Sequence, residues 1–226
     1  MPSAGGLGGH FGAPIVNKTL NCPSCGAAVN FVSAQSLLAV CSYCRASIIR
    51  RDLDVEQIGV MGALIDDASP LQLGAEGVWR STHFAVVGRL QVKWEQGGWN
   101  EWYCVFDDGR TGWLGEAAGE YAMSFETPVS EPLPAWASLQ PGMPVTLGGV
   151  AYEITDVREA EVVGGEGELP FRVGSGWTTR SADLRNDTAR FATLDYSDEA
   201  PRVYLGEAVD VPGLKLRGLR EFEGWR

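Results

Sequence analysis

Two Cys-x-x-Cys pairs, Cys22-Pro23-Ser24-Cys25 and Cys41-Ser42-Tyr43-Cys44, stand fifteen residues apart. In each pair the two-residue gap lets both sulfurs turn toward one point. Pro23 and Gly26 favour the tight turn that aims backbone amides at sulfur. Four thiolates at this spacing form a soft donor set suited to tetrahedral zinc. Such a set closes the tetrahedron and leaves no position for water, so the expected cofactor is one structural zinc. Two disulfides would need an oxidising compartment. The N-terminus shows no charged region followed by a hydrophobic core that would send the chain to one. Four thiolates also hold iron, and the spacing does not select it.

Other reactive residue types do not assemble into a pattern. Cys104 sits in the middle of a strand-like run and reads as buried and inert. His10 and His83 are the two histidines, and nothing places either beside Cys104. No nucleophile elbow and no phosphate-binding glycine loop is present. Asp107-Asp108 reads as a turn, and Asp183, Asp195 and Asp198 are scattered. No catalytic residue is expected, and a cryptic enzyme is the weakest of the functional readings.

Aromatic residues cluster instead. Trp79, Trp94, Trp99, Trp102 and Trp113 fall within 35 residues. Tryptophan anchors protein interfaces as well as cores, which makes these five candidate partner-binding residues. Charge is divided unevenly. Residues 1–51 carry Lys18, Arg45, Arg50 and Arg51 and no acid, so the remainder holds a net −15 of the chain's −11. Phosphate backbones are repelled by such a body. The leading expectation is a cytoplasmic adaptor for another protein, one associated with a membrane face. The alternative is nucleic-acid binding through the four cations of the first 51 residues. No apolar run reaches the roughly 18 residues of a spanning helix.

These residues need elements to hold them. The sequence predicts a mainly β chain: a flexible lead (1–20), a zinc ribbon (21–51), a linker helix (52–70), a first β domain (71–128), a Pro-rich linker (129–138) and a second β domain with a C-terminal extension (139–226). Ala28–Val32, Leu37–Val40 and Ile48–Arg50 are the expected ribbon strands. Leu53, Val55, Ile58, Met61, Leu64 and Ile65 give the helical stripe, although Gly59 and Gly62 weaken it. Beyond Leu71, short runs separated by tight turns such as Asp108-Gly109 predict small SH3-like or otherwise strongly bent sheets. Leu71-Gln72-x-Gly74 aligns with Leu139-Gln140-x-Gly142 at an offset of 68, which also sets Phe84 on Tyr152 and Val86 on Ile154. At an offset of 67, Gly109 falls on Gly176 and Glu116 on Asp183. A duplicated domain is expected. Further strands are expected at Phe171–Val173 and within Val209–Arg220, and Trp225 is expected to pin the tail.

Taken together, the knuckles, Trp99-Asn-Glu101-Trp102-Tyr103, Asp108-Gly109, Trp113-Leu114-Gly-Glu116, Gly167-Glu168-Leu169-Pro170, Asp183-Leu184 and Thr193-x-Asp195-Tyr196 resemble the bacterial proteins with domain of unknown function 4178. The resemblance runs over nearly the whole chain from Asn21. It implies no known activity and assigns no catalytic residue. It implies an accessory role in a bacterial membrane-stress system. The second knuckle departs from the family's pattern in ending on Arg45 where glycine is usual.

Overall fold

A computed structural model describes residues 15–51, 54–172 and 176–222; His10 and Trp225 lie outside them. Five strands come first: β1 (Ile15–Asn21), β2 (Ala28–Ser33), β3 (Leu38–Val40), β4 (Ala46–Arg51) and β5 (Asp54–Val60). In β2 the side chains of Val29, Phe31 and Ser33 are buried while their neighbours are not, the alternation of a half-buried strand. β1 pairs with β2 in a separate two-stranded sheet.

The helix expected over 52–70 does not form. Asp54–Val60 is a strand running antiparallel to β4, and the chain from Met61 to Ser69 is irregular. The glycines at 59 and 62 make a helix costly, whereas Val55, Ile58 and Val60 are β-branched and suit a pleated surface. Pairing with β5 also removes the exposed edge that β4 would otherwise present.

The rest of the chain is β6 (Glu76–Trp79), β7 (Thr82–Trp94), β8 (Gly97–Phe106), β9 (Thr111–Ala117), β10 (Glu120–Glu126), β11 (Pro144–Leu147), β12 (Val150–Leu169), β13 (Trp177–Arg185), β14 (Arg190–Asp195) and β15 (Arg202–Val209). Trp136–Ser138 and Val211–Leu214 are single 3-10 turns. Among the described residues there is no α-helix, and hence none long and apolar enough to cross a membrane. Phe171 and Arg172 lie in a bend, not the expected strand, and Val173 is outside the described residues. The stretch after Val209 forms the 3-10 turn and an isolated bridge, Glu76 to Arg217, and adds no strand. Pro212 and the glycines at 213 and 218 interrupt it.

Two of the aligned segments repeat one hydrogen-bond pattern. Gly74 N donates to Val86 O (2.9 Å) and Val86 N to Ala75 O (2.8 Å); Gly142 N donates to Ile154 O (2.8 Å) and Ile154 N to Met143 O (2.9 Å). Gly74 and Gly142 hold φ of 80° and 86°, a left-handed turn that glycine adopts freely. β7 and β12 each shift register just beyond, at Val86/Gly88 and Ile154/Asp156. Up to this bulge the offset is 68. Val86 then faces Cys104 while Ile154 faces Leu184, so the offset becomes 80 and stays there for Gly112 with Ala192 and Met123 with Val203. The expected match of Gly109 with Gly176 and Glu116 with Asp183 is therefore corrected. Gly109 sits in the β8–β9 turn and Gly176 opens β13; Glu116 is on β9 and Asp183 on β13. The extra length lies in β12 and its connection to β13.

Both halves belong to one sheet. β10 pairs with β15 from Tyr121 to Glu126, and β7 pairs with β12 from Gly88 to Gln91. The ring β7-β8-β9-β10-β15-β14-β13-β12 thus closes as an eight-stranded antiparallel barrel. Like strands meet like at the two seams, as a twofold axis between the halves would dictate. Each half also has a core of its own. Phe84, Val86, Trp102, Cys104, Phe106, Leu114 and Met123 pack beneath Leu71, Trp79 and Leu214. Tyr152, Ile154, Ala182, Leu184, Ala192, Leu194 and Val203 pack with Val145 and Leu147. The alternate residues, Leu90, Val92, Tyr103, Val105, Trp113 and Tyr204, share a different cluster, toward the barrel interior.

The β7–β12 seam demands glycine. Gly88 faces Gly167, and a Cβ on Gly88 would stand 1.7 Å from Glu168 O. A Cβ on Gly167 would stand 2.2 Å from Val87 O, at a φ of 70°. We expect Gly88→Ala to lower stability by ~1–3 kcal/mol or more, because the clash is with backbone and cannot be relieved by a rotamer. Gly59→Ala, with nothing within 4 Å, should change stability by no more than about 0.5 kcal/mol. Denaturant melts of both variants check the contrast; equal midpoints for Gly88→Ala and the parent would refute it.

Candidate metal centre and barrel cavity

The two knuckles repeat each other. Cys22 N donates to Ala27 O (2.8 Å) and Gly26 N to Cys22 O (2.8 Å); Cys41 N donates to Ala46 O (3.0 Å) and Arg45 N to Cys41 O (2.8 Å). Gly26 takes a φ of 78° and Arg45 takes 57° at the equivalent place. For a residue with a Cβ the left-handed conformation costs about 1–2 kcal/mol. Arg45 is thus accommodated as backbone strain, with the knuckle's hydrogen bonds kept. The four Sγ atoms all lie within 4.8 Å of one another, and the Cys22–Cys44 and Cys25–Cys41 sulfurs are each 3.7 Å apart. Metal–sulfur bonds of about 2.3 Å in a tetrahedron require sulfur edges of roughly 3.8 Å. The donor set therefore fits a tetrahedral metal ion. The Ala46 N–H beside Cys44 draws that thiol down to about 7, while in the same cluster, against the Ala27 N–H, burial and the neighbouring sulfurs push Cys25 up to about 12. Val29, Phe31, Ala39, Ala46 and Ile48 form the small core behind the ligands.

This ribbon is joined to the barrel through backbone. β3 pairs with the end of β12, setting Leu38, Ala39 and Val40 against Leu169, Glu168 and Gly167. Glu168 is 4% exposed, and its carboxylate accepts the N–H groups of Val32 (2.6 Å) and Ser33 (3.1 Å) on β2. The Gly167-Glu168-Leu169 segment is thus a joint: one residue closes the barrel, the next binds the ribbon, the third enters the shared core.

Inside the barrel is a cavity of about 1070 Å³. An eight-stranded barrel is near the size at which side chains either fill the interior or leave room for one small ligand. Glu101 on β8 projects from one wall; Asp183 on β13 and Asp195 on β14 project from the other. The Trp99 indole N–H donates to Glu101 Oε1 (2.8 Å), and the Thr193 hydroxyl donates to Asp183 Oδ1 (2.8 Å). Burial, opposed by the Trp99 bond and reinforced by the charges of Asp183 and Asp195, pushes Glu101 up to about 7. The accessible surface it retains faces the cavity. Burial also raises Asp183, with Asp156 adding repulsion, against the Thr193 bond and the charges of Arg158 and Arg185. Aromatic rings supply the apolar wall. Phe171 stacks on Trp113 at 5.7 Å and meets Trp177 edge-on at 6.0 Å. These two flank the connection that lengthens the second half, so the insertion fills one end of an otherwise twofold barrel.

The five candidate tryptophans divide. Trp79 and Trp102 lie in the core of the first half, which puts them out of a partner's reach. Trp94, Trp99 and Trp113 line the cavity. Glu116 is structural: it is 8% exposed and accepts bonds from Ser69, Asn100, Trp102 and Tyr121. Cys104 is buried, its thiol raised by that burial, and His83 is exposed between Glu76 and Asp107. No nucleophile–base pair arises from them. Of the ribbon's cations, Arg50 donates to the carbonyls of Ser33 and Ala34, and Arg51 pairs with Glu56 at 2.6 Å. Phe171, Trp177, Arg158 and Tyr204 were not singled out as site residues. A signal for the cavity did exist: Asp183, Thr193 and Asp195 interrupt strands whose other face, Ala182, Leu184, Ala192 and Leu194, is fully apolar.

The chain matches the family described as a domain of unknown function (DUF4178) over residues 72–211. No curated protein and no solved structure matches it.

Glu101 has a folded pKa near 7 against an ordinary 4.5, so the stability it contributes is present below pH 4.5 and is lost as pH rises through 7. Glu101→Gln abolishes that titration while leaving other groups in place. The melting temperature of Glu101→Gln relative to the parent should therefore rise between about pH 5 and pH 8. A difference that stays flat across this range would show that Glu101 titrates normally.

Proposed function

The chain belongs to the DUF4178 family, and from that premise we propose that it is a non-enzymatic scaffold of the bacterial cytoplasm, its ribbon held by one structural zinc and presented to a protein partner. Each half is read as an SH3-like unit, a bent five-stranded antiparallel sheet around its own core. The observation that carries the proposal is the sulfur geometry: four thiols within 4.8 Å of one another, two of their edges 3.7 Å, on two matching knuckles, in a ribbon fixed to the barrel. Zinc with four thiolates has no open coordination position, so its role is to fold and rigidify. Tyr43, at the tip of the second knuckle, is 81% exposed, a large amphipathic side chain of the type that anchors interfaces. The engagement of Arg50 and Arg51 within the fold and the net −15 of the remainder argue against phosphate recognition.

Elemental analysis should find one zinc per chain, lost when Cys25 and Cys44 are both changed to Ser. Chelation should lower the melting temperature of the parent and leave that variant unaffected. Full zinc loading of the variant would overturn the assignment of the ligands.

The partner is tested by affinity capture with the parent and with Tyr43→Ser. A protein recovered with the first and lost with the second, together with no DNA or RNA binding at two salt concentrations, is the expected result. Salt-sensitive nucleic-acid binding that disappears in Arg45→Ala would replace the adaptor with the alternative.

A further inference from the structure

The cavity carries an imbalance of charge that the fold does not correct. Four arginines reach its wall: Arg158 pairs with Asp156 at 2.6 Å, Arg185 with Glu120 at 3.1 Å and Arg202 with Asp198, while Arg190 forms no ion pair among the described residues. Glu101, by contrast, forms no ion pair among the described residues and feels the charges of Asp183 and Asp195; Asp183 forms none either, though Arg158 and Arg185 act on it from further away. The Trp99 indole N–H donates to Glu101 and the Thr193 hydroxyl to Asp183. Carboxylates enclosed without a counter-ion are costly, and proteins place them where a cation, a proton or a metal completes them.

The walls show which kind of cation fits. Glu101, Asp183 and Asp195 do not come together as a chelating group among the described residues, whereas the four cysteines do. A bare metal ion would lack a coordination shell here. The wall between the carboxylates is aromatic, and it already demonstrates its affinity for positive charge: the Arg158 guanidinium lies 3.8 Å from the Trp94 ring centroid and 5.5 Å from that of Trp99. Ring faces attract cations, most strongly out of water. Trp113, Phe171, Trp177 and Tyr204 extend this surface, with ample volume beside it.

We propose that the barrel interior binds a small organic cation, an ammonium group on an apolar or aromatic body, with Glu101 facing it from one wall and Asp183 and Asp195 from the other. The ammonium takes the carboxylates as hydrogen-bond acceptors, and the body lies against the aromatic rings. The site is distinct from the ribbon and needs no protein partner.

The test uses the full zinc-loaded chain and three probes of one shape: 2-phenylethylamine, 2-phenylethanol and 3-phenylpropionate. The amine should raise the melting temperature and quench tryptophan fluorescence saturably, and the alcohol and acid should do neither. Glu101→Gln with Asp183→Asn should weaken the amine by about tenfold or more, the loss expected for hydrogen bonds to charged groups. Equal binding of all three probes would reduce the cavity to an apolar hole and overturn the proposal. So would absence of amine binding up to about 10 mM, an affinity too weak for any built site. The comparison of probes on the parent chain stands even if the double variant does not fold.

Discussion

Strand β12 can serve four neighbours because one side chain is missing. Its twenty residues pair with β11 and β13 along the first part, then with β7, then with β3. The last two pairings overlap at Gly167, and the chain passes Gly88 so closely that a Cβ there would reach Glu168 O at 1.7 Å. Without that approach the barrel has an open seam. The ribbon also loses the strand it is built upon, since the same turn of chain that meets Gly88 aims the Glu168 carboxylate at Val32 and Ser33. Charge-assisted bonds to two backbone donors offset the cost of burying this acid. Barrel closure and ribbon attachment are therefore one constraint.

Duplication explains why the barrel is hollow. In each half the apolar core lies on the face of the sheet away from the barrel axis, covered by β6 and the 3-10 turn in one half and by β11 in the other. Folding free energy is thus supplied outside the ring. The faces turned inward share one further cluster around Leu90, Val92 and Trp113, and beside it they can carry Glu101, Asp183, Thr193 and Asp195 on the same strands that hold the cores. Symmetry is then broken by length. β7 returns to β8 through a tight turn, while β12 runs on and delivers Phe171 and Trp177 against Trp113. A twofold barrel has two like ends; the longer connection makes one of them a floor.

The parts legible in the sequence were those encoded locally. Cysteine spacing locates the ligands because two-residue knuckles leave little freedom. Asp108-Gly109 gives its hairpin because Gly109 takes φ of 80° and its N–H reaches Phe106 O. The repeat was readable at Gly74 and Gly142, where the backbone itself requires glycine, and was lost beyond the bulge, where the extra residues carry no punctuation. The helix over 52–70 failed for the opposite reason: a stripe at helical spacing says nothing about an unpaired β4 edge waiting beside it. The tryptophans illustrate the same limit. Trp102 and Trp99 differ by three residues and by an odd step on one strand, so one faces the core and the other the cavity. Burial alone separates them.

The acids can be sorted by what they receive. Glu116 accepts four donors, from Ser69, Asn100, Trp102 and Tyr121, and with Arg89 and Asp67 close by it locks the irregular segment after Met61 onto the sheet. Burial works against the charge of Asp67, yet the Asn100 amide, the Arg89 guanidinium and the Ser69 N–H hold it below the usual carboxylate range. Glu168 takes two amides from the ribbon. Each of these is a charge the fold has completed, and removing it would leave donors stranded. Glu101 and Asp183 receive one side-chain donor each and both are raised above their ordinary values; Asp183 and Asp195 repel the charge of Glu101, and Arg158 and Arg185 reach Asp183 only in part. The same residue types are thus finished structure at Asp67, Glu116 and Glu168 and unfinished electrostatics at Glu101 and Asp183. The difference lies in the number of donors the surrounding chain supplies, and it marks the interior as the place where something from outside the chain completes the charge.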